Sequence, residues 1–358
     1  MPYTPTAFPP RRGTTARRRS HGMTLVELMV ALTISLFIVG FLLTMYVNAA
    51  RSKTELDKTS RQIENGRYAM DLLREDIEMA GYFGPLPQGA GYEYAYDTPA
   101  PDPCATAKAD LGFKDDPWTL PPGVQGIAPN TDLACLPNRK AGTAAVVVRR
   151  LDPTPVEDLD AAVTANNFHL QTSFCYEDPK RFVFSDQPAD FTLRRAFDGT
   201  ACTGRNFAQR YLQRIYYVAA CGRCDPSDNL PTLKRAELVD GAWQLRSLAD
   251  GIDDLQFEYG FDDPAGTGPG VPPPGTPDVF SSALGAAAPS DAWANAVAVR
   301  VFLMSRTVVA TRGYKDPADI TYDMGPRGQI PAFEDGYKRR VYASQVRIQN
   351  ISGMRETP

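Results

Sequence analysis

The sequence predicts an α+β fold: one long N-terminal helix packed on an antiparallel β-sheet with long, disulfide-stapled loops. Three observations carry this. An uncharged run from Leu28 to Val47 leads into a segment whose apolar residues recur on one helical face as far as Ala80. Further along, several short segments alternate apolar and polar residues, the period of a half-buried strand. All six cysteines lie beyond the apolar run.

The helix comes first. At about 1.5 Å per residue, Leu28 to Val47 covers the roughly 30 Å hydrocarbon core of a bilayer. Arg11, Arg12, Arg17, Arg18 and Arg19 precede it with no acid among the first 22 residues. Such a cluster holds the N-terminus in the cytoplasm and sends the following chain across the inner membrane. An ordinary secretory signal, cleaved at the small residues Val47 to Ala49, competes with this reading. Its apolar region would be shorter, about 7 to 15 residues, and would carry no acid at its start.

Past the span, Leu56, Ile63, Met70, Leu73 and Ile77 fall on one face of an amphipathic helix. Lys53, Glu55, Asp57, Arg61, Glu64, Arg67, Arg74 and Glu78 form the polar face. Gly81 offers a stop and Pro85 prevents continuation. A helix from Met23 to Ala80 would be about 87 Å long, with Gly40 the one place in its first half where it is loosened.

Strands follow. In "LQFEYGF", Leu255, Phe257, Tyr259 and Phe261 share a face; in "VAVRVFLM", so do Val297, Val299, Val301 and Leu303. "VYASQVRI" groups Tyr342, Val346 and Ile348, and "AAVVVRR" and "QRIYYVAA" add strands near Ala145 and Ile215. Pro264 to Gly275 holds nine Pro or Gly in twelve residues and predicts an exposed loop within one domain.

Charge and cysteines limit the chemistry. With the five leading arginines set aside, 33 basic residues face 42 acidic ones, a net of −9 that argues against nucleic-acid binding. "YKRR", Tyr337 to Arg340, reads as a solvated strand end. Cys104, Cys135, Cys175, Cys202, Cys221 and Cys224 lie where disulfides form. Six cysteines allow 15 connectivities, and proximity favours 104 with 135, 175 with 202, and 221 with 224. "CGRC" suggests a redox motif, but "DPSDNLP" follows instead of the helix that would lower a thiol pKa, so a structural bridge is expected. His169 is the only His after the leader, which supports neither a zinc site nor a triad. Asp250, Asp253, Asp254, Asp262 and Asp263 lack the calcium-loop spacing and read as solvated turns. No catalytic residue, metal or cofactor is expected.

"GMTLVE", Gly22 to Glu27, resembles the class III signal of type IV prepilins. The resemblance implies cleavage between Gly22 and Met23 by a prepilin peptidase that also methylates the Met23 amine. It also implies that Glu27 serves subunit assembly by pairing with the N-terminal amine of a neighbour. Met23 and Glu27, four apart, also lie on one face of the helix, where they can pair within a subunit. A carboxylate buried with its partner is tolerated where a lone one is not, so Glu27 can enforce register. Snorkelling to the interface is the plainer alternative.

"YAMDLLREDIEMAGYFG", "IYYVA", "LADGIDDLQFEYGFD", "WANAVAVRVFLMSR" and "RRVYASQVRIQN" are similar, in order, to blocks of PilW-type minor pilins. This implies a type IV pilin-like fold: residues 1–22 a cleaved cytoplasmic leader, 23–80 the long helix with its membrane half at about 28–47, and 81–358 a periplasmic β-rich head. The implied role is assembly of the type IV pilus, priming polymerisation in a tip complex with other minor pilins. Implied partners are the peptidase and N-methyltransferase, the major pilin, the assembly platform, a tip adhesin and the inner membrane. A J-type pseudopilin of type II secretion is the near rival. A membrane-tethered periplasmic redox enzyme or hydrolase is the rival of another class. Residues 85–210 and 264–290 match no pattern.

Overall fold

A computed structural model describes residues 22–86, 94–96, 99–197, 201–262, 272–282 and 291–356. The basic leader, apart from Gly22, and most of the Pro and Gly run lie outside the described residues, as does Asp263. Two compact units divide the chain, Met1–Glu55 and Leu56–Pro358.

Helix α1, Leu25–Glu78, enters both units. In the first unit its apolar side chains are exposed all round, with Leu36 at 74% and Phe37 at 79%. A helix apolar on every side and covered by no protein is suited to lipid. An 18-residue window of it reaches a mean hydropathy of 2.5, none of it buried.

In the second unit, the buried stripe of α1 is Gln62, Gly66, Ala69, Met70, Leu73, Asp76 and Ile77. Met70, Leu73 and Ile77 lie where the spacing puts them. Leu56 does not; it is 71% exposed, because cover by the sheets begins only at Gln62. Gln62 lies buried because its amide donates to the carbonyls of Ser305 and Lys338, at 3.1 and 3.0 Å. At Gly66 a side chain would meet the ring of Tyr342 at 2.4 Å, so glycine lets helix and sheet touch.

Two antiparallel sheets receive this stripe, where the sequence suggested one. The larger contains β1 (Val124–Ile127), β2 (Ala145–Val156), β3 (His169–Thr172), β4 (Phe182–Ser185), β5 (Ala208–Ala219), β6 (Thr232–Val239) and β7 (Ala242–Asp250). Its order is β7-β6-β5-β2-β1, with β3 also on β5 and β4 on β3. The smaller contains β8 (Ile252–Phe261), β9 (Val279–Ser281), β10 (Ala296–Arg306) and β11 (Arg339–Arg347), in the order β9-β8-β10-β11. Helix α2, Gln349–Glu356, follows β11.

One core joins these layers. Ala69, Met70, Leu73 and Ile77 pack with Val146, Val148 and Leu233 of the larger sheet and with Leu255, Phe257, Val299, Val301, Leu303 and Val346 of the smaller. The uninterrupted "VVV" of β2 arises because both faces are covered: Val146 and Val148 face this core, while Val147 joins Cys135, Leu136, Ile215 and Tyr217 in another.

The end of α1 is fixed by two backbones in close approach. Gly81, at φ 73°, turns the chain and donates its amide to the Arg149 carbonyl at 2.9 Å, while the Arg149 amide donates to Gly123 at 2.8 Å. A Cβ on Gly123 would stand 2.4 Å from the Gly81 nitrogen and 2.6 Å from its Cα. Backbone cannot rotate away as a side chain does. Gly123→Ala is therefore expected to destabilise the head by about 1–3 kcal/mol, read as a lower thermal midpoint of the detergent-solubilised protein.

Candidate functional site

The first turn of α1 brings the residues of the class III signal together. The Thr24 amide and hydroxyl donate to one oxygen of Glu27, Oε2, at 2.9 and 3.0 Å, and the Glu27 amide donates to the Thr24 hydroxyl at 3.2 Å. This is a capping box, with Thr24 as N-cap and Glu27 three residues on. It satisfies helix-start donors that otherwise have no intrahelical partner. Thr24 was not singled out from the sequence, although "TLVE" carries the S/T-x-x-E signature. Gly22 and Met23 precede the helix in exposed chain without regular structure, where a peptidase can reach a bond. Glu27 Oε1 has no described partner.

A second constellation lies where α1 crosses the larger sheet. Asp76, 3% exposed, accepts from Arg150 at 2.8 Å, Arg214 at 2.9 Å and the Tyr216 hydroxyl at 2.7 Å. Glu237 takes Arg214 and Arg235, at 3.3 and 2.8 Å. Burial, reinforced by the Asp76 charge, raises the Tyr216 phenol, which keeps it a donor. This network sets the helix on the sheet at one rotation and height, because sliding would leave buried charges unpaired.

The acidic residues expected in solvated turns need correction. Asp253, Asp254 and Asp262 are 6%, 3% and 4% exposed, and each meets a cation. Arg339 holds Asp253 at 2.8 Å and Asp335 at 2.6 Å, and Lys140 also reaches Asp253. Arg327 pairs with Asp254, and Arg355 with Asp262 at 3.0 Å. Arg339 of "YKRR" is accordingly buried, not solvated, and lies over the Phe333 ring. Only Asp250 of the described acids is exposed. Periodicity missed these pairs because their partners are as many as 113 residues away.

Disulfides join Cys104 to Cys135, Cys175 to Cys202 and Cys221 to Cys224. The first covers the far face of the larger sheet, where Trp243 donates to the Cys104 carbonyl at 3.0 Å. The third follows β5 in the turn leading to β6. Cys175, Glu177 and Cys202 converge closely enough to suggest a metal ligand set. Both sulfurs are spent in one disulfide, so no thiolate is available to ligate.

His169 is 2% exposed on β3, its Nδ1 donating to the Asn167 carbonyl at 2.9 Å. Burial, aided by nearby Arg210, lowers its pKa below the ordinary 6.5 against the pull of that carbonyl. As pH falls below 6.5 the unfolded chain therefore takes the proton first, and stability drops; above 6.5 both states are neutral and this group gives no slope. Burial works to raise Asp253, but Lys140 and Arg339 hold it below 3.8, so its stabilisation is lost only at lower pH. His169→Gln is expected to flatten the decline in melting temperature just below pH 6.5, as measured by thermal melts across pH.

Comparison with known families gives two matches. Residues 17–43 match the prokaryotic N-terminal methylation motif, and residues 215–350 match the family of type IV pilus-assembly protein W. No curated protein and no solved structure gives a significant match. The methylation motif and the lipid-suited half of α1 make this an inner-membrane-anchored pilin with a periplasmic head. The second match runs from β5 through β6, β7 and the smaller sheet to the start of α2. The signal at one end and these strands at the other make the chain similar to PilW-type minor pilins over those residues.

Proposed function

We propose that this protein is a structural subunit that primes type IV pilus assembly within a tip complex of minor pilins. The reading gives each segment a task. Residues 1–22 are a leader removed after Gly22, Met23 becomes the methylated terminus, the apolar half of the helix anchors and then packs, and the head meets its neighbours. Prepilin peptidase, other minor pilins, the major pilin and the assembly platform are the partners this requires. The head serves by contact, not by catalysis.

The observation that carries the proposal is the division of labour at Glu27. Thr24 of the same chain occupies Oε2, and Oε1 is left for a neighbour's N-terminal ammonium. Capping fixes the carboxylate before any partner arrives, so less ordering remains to be done on assembly.

Glu27→Ala is expected to leave insertion, cleavage and head folding intact while reducing incorporation into the minor-pilin complex. Crosslinking to co-expressed pilins at equal membrane levels tests this. Unchanged complex formation would remove Glu27 from assembly and leave it a helix cap.

A further inference from the structure

We propose that β7 is a docking edge that accepts an extended, carboxylate-bearing strand of a co-assembling pilin. This rests on the pilin reading and names the surface it uses. Among the described residues, β7 is the outermost strand of the larger sheet and pairs with β6 alone. Its residues Gln244, Leu245, Arg246 and Ser247 are exposed in succession, although successive side chains point to opposite faces. Among the described residues, neither face nor edge is covered there.

Unpaired edges are normally blunted by shortness, proline, lysine or a covering element. The other edge strands show such protection. β1, β4 and β9 are three or four residues long. β11 carries Arg339, Arg340 and Arg347, and Tyr342 lies against α1. β7 is nine residues long, has neither Pro nor Lys, and carries one arginine, Arg246, where β11 carries three. Leu245 is 43% exposed on it.

Charge states what should lie alongside. Arg246 stands directly across from Arg235, and like charges so placed repel. Arg150, Arg214 and Arg235 already share two carboxylates, Asp76 and Glu237. Arg246 adds a fourth guanidinium, with no carboxylate in ion-pair distance among the described residues. An added strand with Asp or Glu beside Arg246 would supply the missing charge, and its apolar residues would cover Leu245. A second copy pairing antiparallel about Arg246 would instead set arginine against arginine.

The test uses the full-length protein in membranes with its co-expressed pilins, a photocrosslinking residue at Ser247 or Phe37, and the variant Arg246→Glu. The expected result is a crosslink from position 247 to an acidic extended segment of another pilin. Arg246→Glu should weaken it about tenfold or more without lowering the melting temperature, and a compensating acid-to-arginine change in the partner should restore it. Position 247 silent while position 37 still reaches other pilins would overturn the docking edge and leave the pilin reading standing. Loss of both would overturn both. A crosslink from 247 to a second copy of this chain would overturn the assigned occupant.

Discussion

Asp76→Ala is expected to destabilise the head by about 3–5 kcal/mol, because removing one member of a buried ion network leaves the others buried and unpaired. Arg150, Arg214 and the Tyr216 hydroxyl would all lose their acceptor at once. Asp76→Asn should cost less, since an amide oxygen still accepts from Tyr216. The pair Asp76→Leu with Arg214→Met should recover part of the loss, as apolar groups replacing a buried ion pair often do. Urea denaturation of the detergent-solubilised protein measures all three. A single alanine variant as stable as the native chain would mean that the network does not hold the helix to the sheet.

A bulky substitution at Gly22 is the second large effect. The residue sits in exposed chain just before the capping box, next to the bond proposed for cleavage. Gly22→Leu is expected to leave the leader attached, so that the protein accumulates in the membrane at its unprocessed mass and is absent from fibres. Folding of the head should be unaffected, since a Cβ added at Gly22 meets nothing within 4 Å. Immunoblots of membrane and sheared-fibre fractions read both halves of the expectation. Normal processing of Gly22→Leu would place the cleavage elsewhere.

What the sequence made legible was whatever repeats at short range. The apolar span, the one-sided helix at Met70, Leu73 and Ile77, and the alternation in β8 and β10 all follow from residues a few positions apart. Leu56 escaped because spacing shows which face a residue shares, not where along the helix the cover begins. The division into two sheets escaped because β1, β3 and β4 are four residues each and lie in a region with few regular patterns. Helical spacing gives Asp76 no role, and only the fold brings it Arg150 and Arg214 from distant strands. Asp253, Asp254 and Asp262 looked like turn residues for the same reason. Thr24 differs, since its capping signature is local, with Thr24 and Glu27 three apart in "TLVE".

Processing and use of this chain as a pilin are read by peptide mass spectrometry of the protein from sheared fibres. The expected N-terminal peptide begins at Met23 with one methyl group on its amine and retains Glu27. A mature chain beginning at Ala50, released from the membrane without the apolar helix, would contradict the pilin reading.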